Sequence, residues 1–270
     1  MKLEINIVDA FADEVFRGNS AAVIITESWL SDELMQSIAM ENNLSETAYL
    51  VLDDAGIYHI RWFSPMTEID FCGHATLAAA HIIFQKNPSV TFIKFSAKAV
   101  DVLTVTKTDT GKIQMEFPNR KPEKFDDIPD DLLTGLSIAP VDVYRNEQAY
   151  FVIYNSEADV LEVKRDNEAL KQLAPLDVVV TCQTNSDEYK EYDFISRYFW
   201  PANGGDEDPV TGSIHTGLAP FWAERLGKSQ LKAYQASQRG GVLDCVVVED
   251  RVLVSGNAAQ YLTGFITIGE

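Results

Sequence analysis

The feature that most constrains this chain is a stretch that occurs twice. The first copy spans 61–80 and reads RWFSP, a short polar loop, and DFCGHATLAAA. The second spans 197–219 and reads RYFWP, a polar loop, and EDPVTGSIHTGLA. Each copy predicts a strand that ends in proline, a loop, and a helix whose first turn contains glycine and exposes free backbone N–H groups. Two such turns facing each other would form a cleft suited to a carboxylate or another oxyanion.

The remaining segments repeat the same order in both halves. The segment 141–146 resembles 8–19 with a shortened loop, and 167–174 resembles 32–39. This order predicts two homologous halves of an α+β fold, each a curled, mostly antiparallel sheet around one central apolar helix. We expect domains at 1–120 and 130–256 and a tail, 257–270, that packs back on the first domain. The polar, proline-containing segment between the two domains is the boundary.

Local patterns predict several individual elements. Ser31 is expected to cap a helix that begins with two acidic residues. The segments 47–52 and 57–63 are typical of paired strands that turn at an Asp-Asp-Ala-Gly sequence. A helix over 74–84 is apolar nearly all round and should therefore be buried. Pro220, inside the second central helix, should bend or end it because it lacks an N–H.

Composition excludes several classes of partner. The chain has 270 residues, a formal net charge of -19, 46% apolar and 23% charged residues. Nucleic acids and anionic membranes bind basic surfaces, so neither is an expected partner. The start of the sequence lacks the apolar core of a signal peptide, no apolar run approaches the length of a membrane span, and the three cysteines are widely spaced. We expect a cytoplasmic protein without disulfides.

No common cofactor or metal motif occurs in the sequence. Dinucleotide, P-loop and serine-elbow fingerprints are absent, and the four histidines lack zinc-site spacing. Neither a cofactor nor a metal ion is expected. Two glycine-containing turns remain as candidate binding elements. They are Cys72-Gly73-His74 and Thr211-Gly212-Ser213.

Each of these turns taken singly also fits an ordinary helix start. In the second copy, Asp208 would be the cap and Pro209 the first helical residue. The occurrence of a matched pair in a duplicated chain favours the binding interpretation over the capping one.

A candidate base lies just before a predicted strand. Glu46 lies in the sequence NNLSETAY, and the position that corresponds to it in the second half is Thr181. The duplication therefore keeps a carboxylate on one side only. A lone glutamate among apolar residues would have a raised pKa, suited to proton abstraction near neutral pH. The alternative is a solvated glutamate at a strand edge.

Three segments together resemble one protein family. They are NLSETA at 43–48, DFCGHAT at 70–76 and EDPVTGS at 207–213. In combination they are similar to the phenazine-biosynthesis isomerase (PhzF-like) family of the diaminopimelate epimerase fold. The resemblance implies two pseudo-symmetric domains, each a β-barrel around a central helix, with the site in the cleft between them. It also implies a homodimer.

The resemblance further implies a cofactor-independent proton shift next to a carboxylate, which in the phenazine enzyme occurs on a dihydro-hydroxyanthranilate. Glu46 would be the general base and acid. His74, Asp208 and Ser213 would hold the substrate and relay the proton, and the amides around Gly73 and Gly212 would bind the carboxylate. Relatives that epimerise diaminopimelate use two cysteines, whereas this chain has Cys72 at one turn and Thr211 at the other. A two-thiol racemisation is therefore not expected.

The sequence thus predicts an isomerase that moves a proton on a small carboxylate. Two other functions stay open at this point. One is a carboxylate-binding protein without turnover, which would tolerate replacement of Glu46. The other is a hydrolase that uses Ser213 and His74, and it is the weakest of the three because the serine elbow is missing.

Overall fold

The fold was analysed in a computed structural model that describes residues 1–98 and 100–269. The chain is a mixed α/β protein that divides into two compact units. The first unit contains residues 1–116 and 255–270, and the second contains 117–254. The domain bounds proposed from the sequence stay a prediction, and Glu270, in the proposed tail, lies outside the described residues.

Up to Glu116, after which the second unit begins, the described part of the first unit contains two helices and eight strands. The last of these strands continues into the second unit. In chain order they are β1 (Lys2–Ala10), β2 (Asn19–Thr26), α1 (Asp32–Asn42), β3 (Glu46–Leu52), β4 (Tyr58–Phe63), β5 (Glu68–Ile69), α2 (Gly73–Lys86), β6 (Phe92–Ala97), β7 (Val100–Lys107) and β8 (Ile113–Pro118).

The second unit begins with short elements and contains four helices. In chain order they are β9 (Glu123–Lys124), α3 (Asp130–Thr134), β10 (Asp142–Arg145), β11 (Ala149–Ile153), α4 (Glu157–Glu162), α5 (Asn167–Leu170), β12 (Asp177–Gln183), β13 (Phe194–Phe199), β14 (Glu207–Asp208), α6 (His215–Leu226), β15 (Gln230–Gln235), β16 (Gly241–Val248) and β17 (Arg251–Gly256). Short 3-10 turns occupy Lys171–Leu173 and Pro201–Asn203. The last strand, β18 (Ala258–Thr267), belongs to the first unit and pairs antiparallel with β1.

The two units share one order of strand pairings. In the first unit, β1–β2 is antiparallel, β2–β3 parallel, β3–β4 and β4–β5 antiparallel, and β4–β6 parallel. In the second unit, β10–β11 is antiparallel, β11–β12 parallel, β12–β13 and β13–β14 antiparallel, and β13–β15 parallel. The order that the duplicated sequence shows is thus present in the hydrogen-bonded topology of each unit.

Several local predictions are confirmed. The strands β3 and β4 pair around the predicted turn, and the hydroxyl oxygen of Ser31 accepts a hydrogen bond from the backbone N–H of Leu34 at the start of α1. Eleven of the 14 residues of α2 are buried. The helix packs on β1, β2 and β3, whose apolar residues need a partner of this kind.

A bidentate arginine–glutamate pair holds the loop of each duplicated stretch. In the first unit, Arg61 donates from Nε and one terminal nitrogen to the two carboxylate oxygens of Glu68, at 2.7 and 2.7 Å. In the second unit, Arg197 binds Glu207 in the same manner at 2.8 and 2.8 Å. Each glutamate begins the short strand, β5 or β14, that leads toward the helix. Planar, two-bond pairs of this kind fix geometry as well as adding stability.

The second central helix, α6, continues through Pro220, so the helix does not end there. A proline at this position leaves the carbonyl of Thr216 without its usual helical donor. The backbone N–H of Arg120 donates to that carbonyl at 3.1 Å instead. A Cβ added at Gly217 would lie 3.1 Å from the carbonyl oxygen of Arg120 and 2.5 Å from Cζ of Phe151, so glycine is what allows both segments to approach the helix.

Among the described helices, none combines the length and the apolar character needed to span a membrane.

Candidate active site

Glu46 and His74 form a close pair in the first unit. Glu46 is the first residue of β3, and His74 lies in the first turn of α2. Nε2 of His74 lies 2.8 Å from Oε2 of Glu46, and the two side chains are only 7% and 13% exposed. Oε2 is buried and makes no well-aligned hydrogen bond to the described residues, so the ion-pair contact with the ring defines its environment. The sequence alone could not show this contact, because 28 positions separate the two residues.

The histidine ring also contacts Cys72. Burial lowers the pKa of His74, and the neighbouring Cys72 and Glu46 raise it by more, so that it lies well above its usual value. The Cys72 sulfur lies 3.4 Å from Nδ1 and 3.9 Å from Nε2 of the ring. Burial, together with the nearby charge of Glu46, raises the pKa of the Cys72 thiol to about 11. The thiol is therefore uncharged near neutral pH, as expected for a small, buried residue.

The first turn of α2 presents backbone donors beside this pair. Cys72 occupies the N-cap position with extended backbone angles, and within the described chain no side chain caps this helix end. A Cβ added at Gly73 would have one neighbour within 4 Å, a ring carbon of Phe71 at 3.9 Å. No described side chain caps this helix end, and the helix dipole favours an anion there.

The second predicted turn has a different local structure. The helix begins at His215, so Thr211, Gly212 and Ser213 precede it and do not form its first turn. Asp208, which would be the cap in the alternative interpretation, belongs to β14. The reason is a residue that the sequence analysis missed. Gln235, fully buried on β15, accepts a hydrogen bond from the Thr211 amide at 2.9 Å and donates to the Asp208 carbonyl at 2.8 Å.

Thr211 and Asp208 are also joined through their side chains. The Thr211 hydroxyl donates to a carboxylate oxygen of Asp208. The segment between β14 and α6 is thus held as one compact turn whose Thr211 amide is already occupied. No local pattern in the sequence indicates a role for Gln235, which lies 24 residues beyond Thr211.

Ser213 takes part in a polar chain within the second unit. Its hydroxyl oxygen accepts a hydrogen bond from Nε2 of Gln148 at 3.0 Å. The same nitrogen donates to the Tyr198 hydroxyl at 3.3 Å, and Tyr198 in turn donates to Asp177 at 2.7 Å. Burial raises the pKa of the Asp177 carboxyl. The residue that contacts Ser213 is therefore a neutral amide donor, which cannot remove a proton from the hydroxyl.

The one cluster of possible metal ligands found among the described residues is Glu46, Cys72 and His74, whose ligand atoms lie within 4.8 Å of one another. At ordinary zinc bond lengths and a tetrahedral angle, the nitrogen and oxygen ligands would lie about 3.3 Å apart. The observed 2.8 Å between Nε2 and Oε2 is shorter than that spacing. A metal ion bound by both atoms would therefore require them to move apart.

A family model described as phenazine biosynthesis-like protein (PhzC-PhzF) matches residues 8–264. The chain belongs to this family. An uncharacterized isomerase of Pseudomonas aeruginosa is 43% identical over 98% of this chain and 98% of that protein, and one of Halalkalibacterium halodurans is 42% identical over 97% of each. A crystal structure of a PhzF family protein of Enterococcus faecalis matches with a TM-score of 0.91 and 40% identity, covering 99% of this chain and 100% of that one. These PhzF-like relatives place the chain among isomerases, with the substrate unknown.

Proposed function

We propose that this PhzF-like chain moves a proton between two carbons of a small carboxylate, with Glu46 as the general base and acid. The observation that supports the proposal most directly is the nearly buried Glu46–His74 pair at the uncapped first turn of α2. The family resemblance also supports a cofactor-independent homodimer built from two pseudo-symmetric barrels, and composition supports a cytoplasmic location.

Glu46 can accept a proton because one of its oxygens is already positioned. Oε2 faces the ring of His74, which leaves Oε1 for the substrate. The low exposure of both side chains limits the water that would otherwise compete for the carboxylate.

The proton shift then balances without any other reactant. Glu46 breaks a C–H bond that is α or vinylogous to the bound carboxylate, and the electron pair moves into the conjugated system as an enolate-like anion. The amides of Gly73 and His74 stabilise the negative charge that develops on the carboxylate oxygens. Glu46 returns the proton to a different carbon of the same molecule, which completes the isomerisation.

The residues predicted in the second unit have a more limited geometric basis. Asp208 remains a proposed catalytic residue because the family motif includes it. Thr211, Gly212 and Ser213 remain proposed substrate-binding residues on the same ground. Since Gln235 already occupies the Thr211 amide, the proposal assigns anion binding in this turn to the amides of Gly212 and Ser213.

The decisive experiment measures incorporation of solvent deuterium into a panel of unsaturated and cyclic carboxylates that carry an acidic C–H bond. Wild type is expected to label at least one of them, and Glu46→Gln should label it about 10²–10⁴-fold more slowly, because a general base contributes that much to the rate. Glu41→Gln is the matched control, since Glu41 is an exposed glutamate on α1 of the same unit. Equal labelling by wild type and Glu46→Gln would remove Glu46 from the role of base.

The two alternative functions give different results. A binding protein without turnover would retain the carboxylate in Glu46→Ala and would label nothing. A hydrolase would form a covalent adduct at Ser213 with a fluorophosphonate. The hydrogen bond from Gln148 to Ser213 argues against that hydrolase, because no base contacts the hydroxyl within the described part of its unit.

A further inference from the structure

The Nδ1 edge of the His74 ring has a partner of its own. Asn19, fully buried at the start of β2, places its side-chain nitrogen 3.2 Å from Nδ1 of His74. The oxygen of the same amide accepts a hydrogen bond from the Ser45 hydroxyl at 2.9 Å. Ser45 directly precedes Glu46, so this chain of contacts returns to the base that the other edge of the ring touches.

The backbone places Asn19 in this position. Gly18 has a φ of +65°, and a Cβ there would lie 2.1 Å from the carbonyl oxygen of Ala10. A side chain at this position would force the two strands apart, because Asn19 pairs with Ala10 in the β1–β2 ladder. The Arg-Gly-Asn sequence, whose function the sequence alone does not explain, therefore brings an amide to the interior beside His74.

An asparagine amide suits a ring that gains and loses a proton. With Nδ1 unprotonated, the amide nitrogen can donate to Nδ1 while the amide oxygen accepts from Ser45. With Nδ1 protonated, the amide can turn over, so that its oxygen accepts from the ring and its nitrogen donates to the Ser45 hydroxyl. A hydroxyl can serve as donor or acceptor, so both arrangements keep Nδ1, the Asn19 amide and the Ser45 hydroxyl paired with one another.

We propose that Asn19 is a positioning residue for His74: its amide, held by Ser45, keeps the ring directed at Glu46 and sets which ring nitrogen carries the proton. When the amide nitrogen donates to Nδ1, the proton of the neutral ring lies on Nε2, the nitrogen that is 2.8 Å from Oε2 of Glu46. The inference rests on the proposed role of Glu46 and His74 and concerns a residue that acts through the His74 ring.

Two ionisable groups contact the His74 ring in the described part of the first unit. They are Glu46 from β3 and the Cys72 thiol at the start of α2. Asp9 on β1 is buried and accepts hydrogen bonds from the Phe16 amide and the Ser20 hydroxyl. The strand β18, which also packs near α2, contains no acidic or basic residue. These groups are the same in wild type and in the Asn19 variant, so the comparison between the two proteins isolates the effect of Asn19.

The test records the ring nitrogens of His74 directly by long-range proton–nitrogen NMR on protein with labelled histidine, from about pH 5 to about pH 10. The chain has four histidines, and the signals lost in His74→Gln identify the ring of interest. We expect the neutral ring of wild type to carry its proton on Nε2. In Asn19→Asp, which is nearly isosteric and accepts only, the proton should move to Nδ1 and the titration midpoint should rise by about 1–3 pH units, as for an opposite charge in contact.

Asn6→Asp is the matched control, because Asn6 is also a buried asparagine of the first unit and contacts Glu4, Gln260 and Thr263 instead of His74. Asn6→Asp should leave the His74 signals unchanged. The proposal is overturned if Asn19→Asp leaves both ring signals where wild type places them, or if neutral wild type carries the proton on Nδ1. The wild-type measurement decides the second point even if a variant fails to fold.

These measurements need no substrate, so they test the positioning role separately from the proposed reaction. If Glu46→Gln retained deuterium labelling, the role of Glu46 as base would fail while Asn19 could still set the tautomer. If Asn19→Asp left the ring signals unchanged, the positioning role would fail while Glu46 could still be the base.

Discussion

The second unit contains a buried histidine that should make its stability depend on pH. His215 is fully buried in the first turn of α6, its Nδ1 donates to the Thr211 carbonyl at 2.9 Å, and its ring stacks on Phe194. Nε2 is buried and has no hydrogen-bond partner in the described chain. Burial lowers the pKa of His215 to about 4. The folded protein therefore favours the neutral form of the His215 ring.

The direction and size of this pH effect on stability follow from the difference in proton binding between the folded and unfolded chain. An unfolded histidine has a pKa of about 6.5, so below that pH the unfolded chain binds a proton that the folded chain does not. Stability is fully present above about pH 6.5 and falls as the pH decreases toward 4. Between about pH 8 and about pH 5, His215 should lower the free energy of unfolding of its unit by about 2 kcal/mol.

Urea unfolding of wild type and His215→Asn at these two pH values measures the difference. Asparagine retains a donor for the Thr211 carbonyl but does not titrate, so the variant should lose about 2 kcal/mol less than wild type on acidification, even if it is less stable throughout. The acidic residues are common to both proteins and cancel in the comparison. Equal losses in wild type and His215→Asn would refute the reasoning.

Three further changes test packing, proton chemistry and capping. Gly217→Ala should lower the free energy of unfolding by about 1–3 kcal/mol in urea, because its Cβ would overlap the Phe151 ring, although alanine is the better helix former; a more stable variant would contradict the packing. Cys72→Ala should retain deuterium exchange, since the thiol is uncharged near neutral pH, and a loss of about 10²-fold or more would show that Cys72 transfers a proton. Ser31→Ala should cost about 1 kcal/mol in the same urea assay through loss of the α1 cap, and an unchanged midpoint would exclude that contribution.

The sequence predicted what depends on neighbouring residues. The apolar residues all round α2 indicate a buried helix without reference to any other segment. The turn between β3 and β4 is encoded by four adjacent residues. What it could not predict depends on partners that are distant along the chain. The start of α6 is displaced because Gln235 occupies the Thr211 amide, and the helix continues past Pro220 because the Arg120 amide replaces the missing donor.

The candidate site shows the same division. Glu46 and His74 stand out in the sequence because each lies in a distinctive motif, yet their contact and the amide of Asn19 beside the ring are visible only in the structure. An asparagine that follows an Arg-Gly pair has no local feature that distinguishes it from an ordinary turn residue.

The duplicated turns have diverged in the ionisable groups that they contain. In the first unit the helix begins directly after Cys72, no described side chain caps its first amides, and Glu46 and His74 lie beside them. In the second unit Gln148 binds Ser213, Gln235 binds Thr211, and the carboxylate of Asp208 accepts a hydrogen bond from the Thr211 hydroxyl. The two glutamine amides can orient a bound molecule but cannot exchange a proton with it near neutral pH. We therefore propose that Glu46 both removes and returns the proton, and that the second turn does not supply an equivalent base on the opposite face.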